Sequence, residues 1–567
     1  MNLNTEQYFS TVPQIHIPRS VFDRSFTLKT TFNVNKLVPI FVDEVLPGDS
    51  MKLNFTAFGR LLNPLVVPVM DELYFETLWF QCPSRLLWTH WVNMCGEQDN
   101  PNDTIDYICP TINSGENGFA VGSIFDMMGI PAGVPNLEVN SLPLRMYNLT
   151  YNQWFRDENL INSVTVAKGD SDSASNYTLL KSSKIHDYFT SCLPFSQKFG
   201  DSVNIPISPI SAGIVPNGNM TFDILNSQGV SPDDGTNQPL YLNNIIHSGS
   251  NANQMYLSGV KYHTTTGDGA PSLNSGFYTL KYNSGLGLDL LNSAGASVSD
   301  FRFAIKLQQY RELQARSGSR YIEYLKANYG VNAGDYRLQR VEFLGSTREM
   351  IDINTVVQTS ATSSTSPQGN LTAYGVVANH GAGFSTSATE HGYLMGIARI
   401  RHNPVYQQGL NKMWKRSALL DFYNPIFNGI SEQPVHNYEL VAQGGSVLND
   451  SGTPVDNDAF GFQEAWAEYR YKPSMICGVL RSGVTQSLDC YHLAQYFTDS
   501  NGDVEVPLLN QSFIEESIPM DRVLALNEDD STSDNLHPQF IFDFDFQYTC
   551  ARPMPVRNIP DGLCPRL

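Results

Sequence analysis

The chain has 567 residues, 36 of them basic and 56 acidic, for a formal net charge of −20. That balance excludes binding of nucleic acid by bulk attraction, so any such contact has to be local or to pass through a separate basic partner. Only 16% of residues are charged, which predicts a surface largely buried in an assembly, while 11% aromatics and 74 glycines and prolines favour a loop-rich β protein over a helical one.

The N-terminal residues 1–18 are polar and aperiodic, and Gln14–Phe26, extended by Pro18, reads as an arm lying on something else. Between Thr30 and Gln81 three strands are expected. Phe32, Val34, Lys36 and Val38 begin a period-2 pattern that runs to Val42, and Leu46-Pro47-Gly48-Asp49 supplies turn chemistry. Met51, Leu53, Phe55 and Ala57 alternate with polar residues, as do Leu73, Phe75, Thr77 and Trp79 with their neighbours, and such alternation marks half-buried strands. Ser84 is placed to cap a short helix over 84–88, and a small apolar helix is expected between Gly115 and Gly133. Leu144–Leu160 has helical spacing at Tyr147, Tyr151, Trp154 and Phe155, and its Arg156-Asp157-Glu158 tail reads as an ion-paired helix end.

From about Ser208 to Ser297 the composition shifts to Asn, Ser, Gly and Thr with short alternating patches, too long for an ordinary loop. We read 208–297 as a surface insertion with its own small β-structure. Its recurring Tyr241, Tyr256, Tyr262, Tyr278 and Tyr282 suit an adaptable recognition surface and are the host-contact candidates. Asp300–Tyr329 is expected to be helical and broken at Ser317-Gly318-Ser319. Arg340–Ser360 returns to extended structure, and the Ser/Thr- and Gly-rich stretch after it, with His380-Gly381-Ala382-Gly383, is expected to be a loop. Glu390–Arg416 begins as a strand and is locally basic, with no acid after Glu390. Arg399, Arg401, Lys412, Lys415 and Arg416 could meet phosphates, with Trp414 and Tyr406 to stack on unpaired bases. The competing reading pairs these cations with the acidic 503–545 stretch, which holds eleven acids and one base, at subunit interfaces. Near the end, Phe542, Phe544 and Phe546 alternate with Asp543, Asp545 and Gln547 in a strong last strand. Asp543 and Asp545 could hold a divalent cation, but an exposed face opposite a Phe-lined core is the plainer expectation.

No HExxH, GxxxxGK[ST] or GxSxG motif occurs, so no enzyme activity and no cofactor is expected. Cys82, Cys95, Cys109, Cys192, Cys477, Cys490, Cys550 and Cys564 form no CxxC pair, which argues against a zinc ribbon; no signal peptide is read, so reduced, mostly buried thiols are expected. No apolar run approaches the length needed to span a membrane.

Four segments carry a family resemblance: YNQWFRDEN (Tyr151–Asn159), HDYFTSCLPFSQK (His186–Lys198), RVEFLGSTREMIDINTVVQTS (Arg340–Ser360) and HGYLMGIARIRH (His391–His402). They resemble the major capsid proteins of the microviruses, small single-stranded DNA phages, and the long insertion before the basic helix resembles the gokushovirus branch. The resemblance runs from about Pro13 to the C-terminus and is weakest in 208–297 and 440–460. It implies a mainly β, eight-stranded antiparallel jelly-roll sandwich with long loop insertions and a few short helices, the whole chain forming one capsid domain. It further implies an icosahedral virion shell of roughly sixty copies around a circular single-stranded DNA genome, with the insertion as a threefold protrusion. The implied partners are further copies of the chain, the genome, a small basic DNA-packaging protein, an internal scaffolding protein, a DNA pilot protein and a host cell-surface receptor. A carbohydrate-binding or hydrolytic β-sandwich protein is the alternative, since such sandwiches also host lectins.

Overall fold

The computed structural model describes residues 18–198, 298–316, 321–330, 339–362, 367–430, 432–499, 501–525 and 538–557, together with the backbone of short strands between 214 and 288. Two compact units divide the chain: residues 1–201 with 309–567, and residues 202–308.

Ten strands build the two main sheets of the first unit: β1 (Ser20–Asp23), β2 (Phe26–Phe32), β3 (Val38–Val45), β4 (Ser50–Leu61), β5 (Leu73–Pro83), β6 (Glu342–Met350), β7 (Asp352–Val357), β8 (Leu371–Ser387), β9 (Gly392–His402) and β10 (Phe540–Arg552). One sheet runs β1–β10–β4–β8–β7, with β2 also on β10, and the other runs β6–β5–β9–β3. Every pairing in both is antiparallel. Successive strands β3, β4 and β5 therefore alternate between sheets, so the apolar face of each meets the apolar face of the other.

The packing follows from the period-2 pattern. In β10, Phe540, Phe542, Phe544 and Phe546 are fully buried or nearly so, while Asp543, Asp545 and Gln547 between them face solvent. The Phe542 and Phe544 rings lie 5.6 Å apart, and Phe544 and Phe546 5.7 Å, near parallel. Phe75 and Trp79 of β5 complete this aromatic layer from the other sheet. Burying each Phe stabilises the fold by roughly 1.5–3 kcal/mol, so this one strand is a large contributor. Outside the sandwich, Lys29 pairs with Asp543 at 2.9 Å on the solvent face. Among the described residues no cluster of acids, histidines or cysteines is grouped to hold a metal ion.

Three local expectations need correction. The alternation expected from Phe32 to Val42 is interrupted, because Asn35 turns the chain with φ of 70° and separates β2 from β3. Of the arm expected over Gln14–Phe26, the described part does lie on another element: β1 and the start of β2 pair with β10. Ser84 opens a 3-10 turn, Ser84–Leu86, and caps nothing with its side chain. The largest departure is the Gly-rich stretch, which from Leu371 on is the 17-residue strand β8 and not a loop. Its glycines are required by close approach: a Cβ on Gly381 would stand 2.7 Å from the Phe55 ring, and one on Gly375 2.8 Å from Leu61. Large β4 side chains lean across the sheet over those positions, so a composition that reads as a turn fits a strand here.

The outer face of the second sheet is also covered. Residues between 84 and 180, including the helix Leu142–Thr150 and the π turn Tyr151–Phe155, form a second apolar cluster with Phe80, Met395 and Ile397. This is why β9 is buried on both faces over most of its length. The two helices expected around Ser317 are Val298–Arg316 and Tyr321–Tyr329. Of the seven described cysteines, Cys82, Cys192 and Cys550 are buried, whereas Cys95 and Cys477 are exposed, so the expectation of mostly buried thiols holds only in part.

In the second unit the backbone forms antiparallel pairs: Ile214–Leu225 with Thr279–Leu288, Tyr241–Leu242 with Val260–Lys261, and Ile245–Ile246 with Tyr256–Leu257. Tyr241, Tyr256 and Tyr282 fall on these strands; Tyr262 and Tyr278 lie outside the described residues.

Candidate functional site

The basic stretch splits into two environments. Antiparallel register places Arg348 of β6, Glu76 of β5 and Arg399 of β9 abreast on one face. Facing cross-strand charges of opposite sign attract, and Arg399 sits 2.8 Å from Glu76, with Arg348 and Arg401 each at 3.5 Å. Arg399 also donates to Ser182 Oγ at 3.0 Å and lies over the Phe155 ring. Arg401 reaches Glu516 at 3.9 Å, and the fully buried His402 Nδ1 bonds Glu516 at 2.7 Å. Arg399 and Arg401 are each only 12% exposed. Burial, and then the neighbouring Arg401, pull the Arg399 guanidinium down to about 10. These two arginines thus hold the outer face of the second sheet to the segments that cover it. Among the described residues of the acidic 503–545 stretch only Glu516 serves them, and the central anion, Glu76, lies far upstream.

The second environment is the turn Lys412–Lys415 and the loop after it. Asn411 caps the turn by accepting the Met413 N–H at 3.0 Å. Trp414 is 70% exposed and Lys415 is exposed as well, its ammonium 4.9 Å from the Tyr438 ring centre. Lys412 lies 3.9 Å from Glu439, whose carboxyl burial pushes up. Arg416 pairs with Glu468 at 2.7 Å and lies over the Tyr469 ring. These cations line an open cleft of about 340 Å³ together with Asp421, Tyr438, Trp466 and Glu468, so acids offset much of its positive charge. Tyr406 is buried, and its hydroxyl donates to Asp187 at 2.6 Å; its ring is not presented to solvent. Four of the expected contacts thus gather at one turn, Lys412, Trp414, Lys415 and Arg416, and the register of β9 draws the other two arginines elsewhere.

Beyond the turn, residues 417–430 present Leu419, Leu420, Phe422 and Ile426 at exposures of 50–87%. Sequence reasoning passed over this loop because it has neither period and carries no charge cluster. Its signal was there: fourteen residues with a single charge, Asp421, and seven large apolar or aromatic side chains.

Comparison with known proteins points to a structural protein. A family model described as "Capsid protein (F protein)" matches residues 10–561. The chain is 41% identical over 564 residues to the "Capsid protein VP1" of Bdellovibrio phage phiMH2K, covering 98% of each chain. It is 38% identical to the protein of the same name from Chlamydia phage 1 and 33% identical to that of Spiroplasma virus 4, each over 97% of both chains. The chain therefore belongs to the capsid protein (F protein) family of phages, a structural family whose place is the virion capsid.

Proposed function

We propose that this chain is the major capsid subunit of a microvirus of the gokushovirus branch and that about sixty copies close into an icosahedral shell around a circular single-stranded DNA genome. The observation that carries the reading is the pair of strand paths β2–β10–β4–β8 and β3–β9–β5–β6. Numbered along the chain, the order of those eight strands supports a jelly roll, the double-sheet sandwich used by capsid domains. Resemblance in sequence along nearly the whole chain supports the same reading. Electron microscopy of particles made by the full chain, co-expressed with its phage's companion proteins, tests it. Closed shells of one size are expected; free subunits alone would overturn it.

Within this function, Lys412, Trp414, Lys415 and Arg416 are the residues proposed to face the genome. Arg399 and Arg401 are left out, because Glu76 and Glu516 already neutralise them beneath the sheet's cover. A small basic packaging protein completes the neutralisation that a −20 subunit cannot supply. The internal scaffolding and DNA pilot proteins remain proposed assembly partners. Residues 208–297, with Tyr241, Tyr256, Tyr262, Tyr278 and Tyr282, are proposed as the external protrusion that meets a host receptor. Their Tyr-, Asn-, Ser- and Gly-rich composition and the separate compactness of residues 202–308 support it.

A further inference from the structure

We infer that the loop 417–430, with Tyr469 beneath it, is a contact surface that takes a second copy of this chain during shell closure. The inference rests on the capsid reading and names the surface that reading leaves open. Leu419, Leu420, Phe422, Tyr423, Ile426 and Tyr469 are between 44% and 87% exposed. At the roughly 150–250 Å² a large side chain can bury, they offer on the order of 600–900 Å². One partner in a standard protein interface contributes about 800 Å², whereas scattered apolar side chains on a monomer need no partner.

The loop is built to hold these side chains outward. Asp421, its only charge, turns back on the loop to accept the backbone N–H groups of Ser417 and Ala418, both at 2.8 Å. Asn424 caps the turn Pro425–Phe427 by accepting from Ile426 N at 3.1 Å. The Trp466 indole N–H donates to Phe427 O, and Tyr423 packs edge-on against Trp466 at 5.7 Å. The backbone is thus fixed before any partner arrives, which lowers the entropic cost of docking. A polyanion is the wrong occupant: the loop holds no cation, and depletion of charge with enrichment in aromatic residues is the composition of an interface core.

The test uses the full chain with the companion proteins its shell requires. In Leu419→Asp/Ile426→Asp, particle yield by sedimentation should fall at least tenfold while the soluble subunit keeps the wild-type circular dichroism spectrum. Normal shells from this variant would overturn the inference; a wild type that makes no shells would instead sink the capsid reading beneath it. Should the double variant misfold, Ile426→Cys decides, read by maleimide labelling and peptide mass spectrometry at that residue. Label should enter the free subunit and be excluded from both empty and DNA-filled shells. Equal labelling of subunit and shell, or protection only in DNA-filled shells, would overturn the inference.

Discussion

Strand β10 and the loop 417–430 are both dense in large apolar residues, yet the molecule buries one and displays the other. In β10 every second residue is apolar, so the pleat sends Phe540, Phe542, Phe544 and Phe546 inward and the aspartates outward. In 417–430 the apolar residues follow neither a two-residue nor a helical period, and short capped turns point them to solvent. Regular spacing lets a chain satisfy its apolar groups by folding; irregular spacing held on a rigid frame leaves that to association. The same division holds for charge. Arg399 and Arg401 are settled inside the subunit by Glu76, while Lys415 remains outside.

The sharpest way to break the comparison is Phe544→Asp. It places a carboxylate among aromatic rings with no partner, a burial that costs several kcal/mol or more, and no cooperative unfolding transition should remain. A variant that melts normally would remove β10 from the core. Next is Glu76→Gln, which leaves Arg348, Arg399 and Arg401 without their shared anion. Breaking a pair this buried costs about 3–5 kcal/mol, to be read from urea denaturation of assembly-deficient subunits. A loss under about 1 kcal/mol would mean that the arginines are solvated.

A third test uses pH. Lys184 is buried against Phe513, and desolvation lowers its ammonium to about 8 from 10.5. Between those values the unfolded chain binds more protons than the folded one, so this group's contribution to stability rises with pH across that window. It amounts to up to about 3 kcal/mol at 1.36 kcal/mol per unit. Wild type minus Lys184→Met should show that rise, and a flat difference would refute the buried ammonium. Gly396→Ala has the smallest expected effect: its Cβ would collide with the Trp79 ring, and overpacking of this kind costs about 1–3 kcal/mol. Gly369→Ala, at a turn with open space but φ of 85°, distinguishes ring collision from backbone strain.

Much of the sandwich was legible because alternation is written locally: β4, β5 and β10 lie within a few residues of their expected bounds. Strand β8 was not, since its glycines answer to Phe55 and Leu61 more than three hundred residues earlier. Asn35 likewise hides a turn inside an apparently continuous alternation. At the basic stretch, the residue types and their clustering at 412–416 could be read. The fate of Arg399 could not, because Glu76 is 323 residues away in sequence and meets it only through the register of β5 and β9.

The central claim is that β10 is satisfied within the subunit and that 417–430 is satisfied only between subunits. Amide hydrogen exchange on free subunits and on assembled shells tests it in one comparison. The account predicts that Phe540–Arg552 is protected in both states and that 417–430 gains protection only on assembly. Exchange in 417–430 that is unchanged between subunit and shell would contradict it.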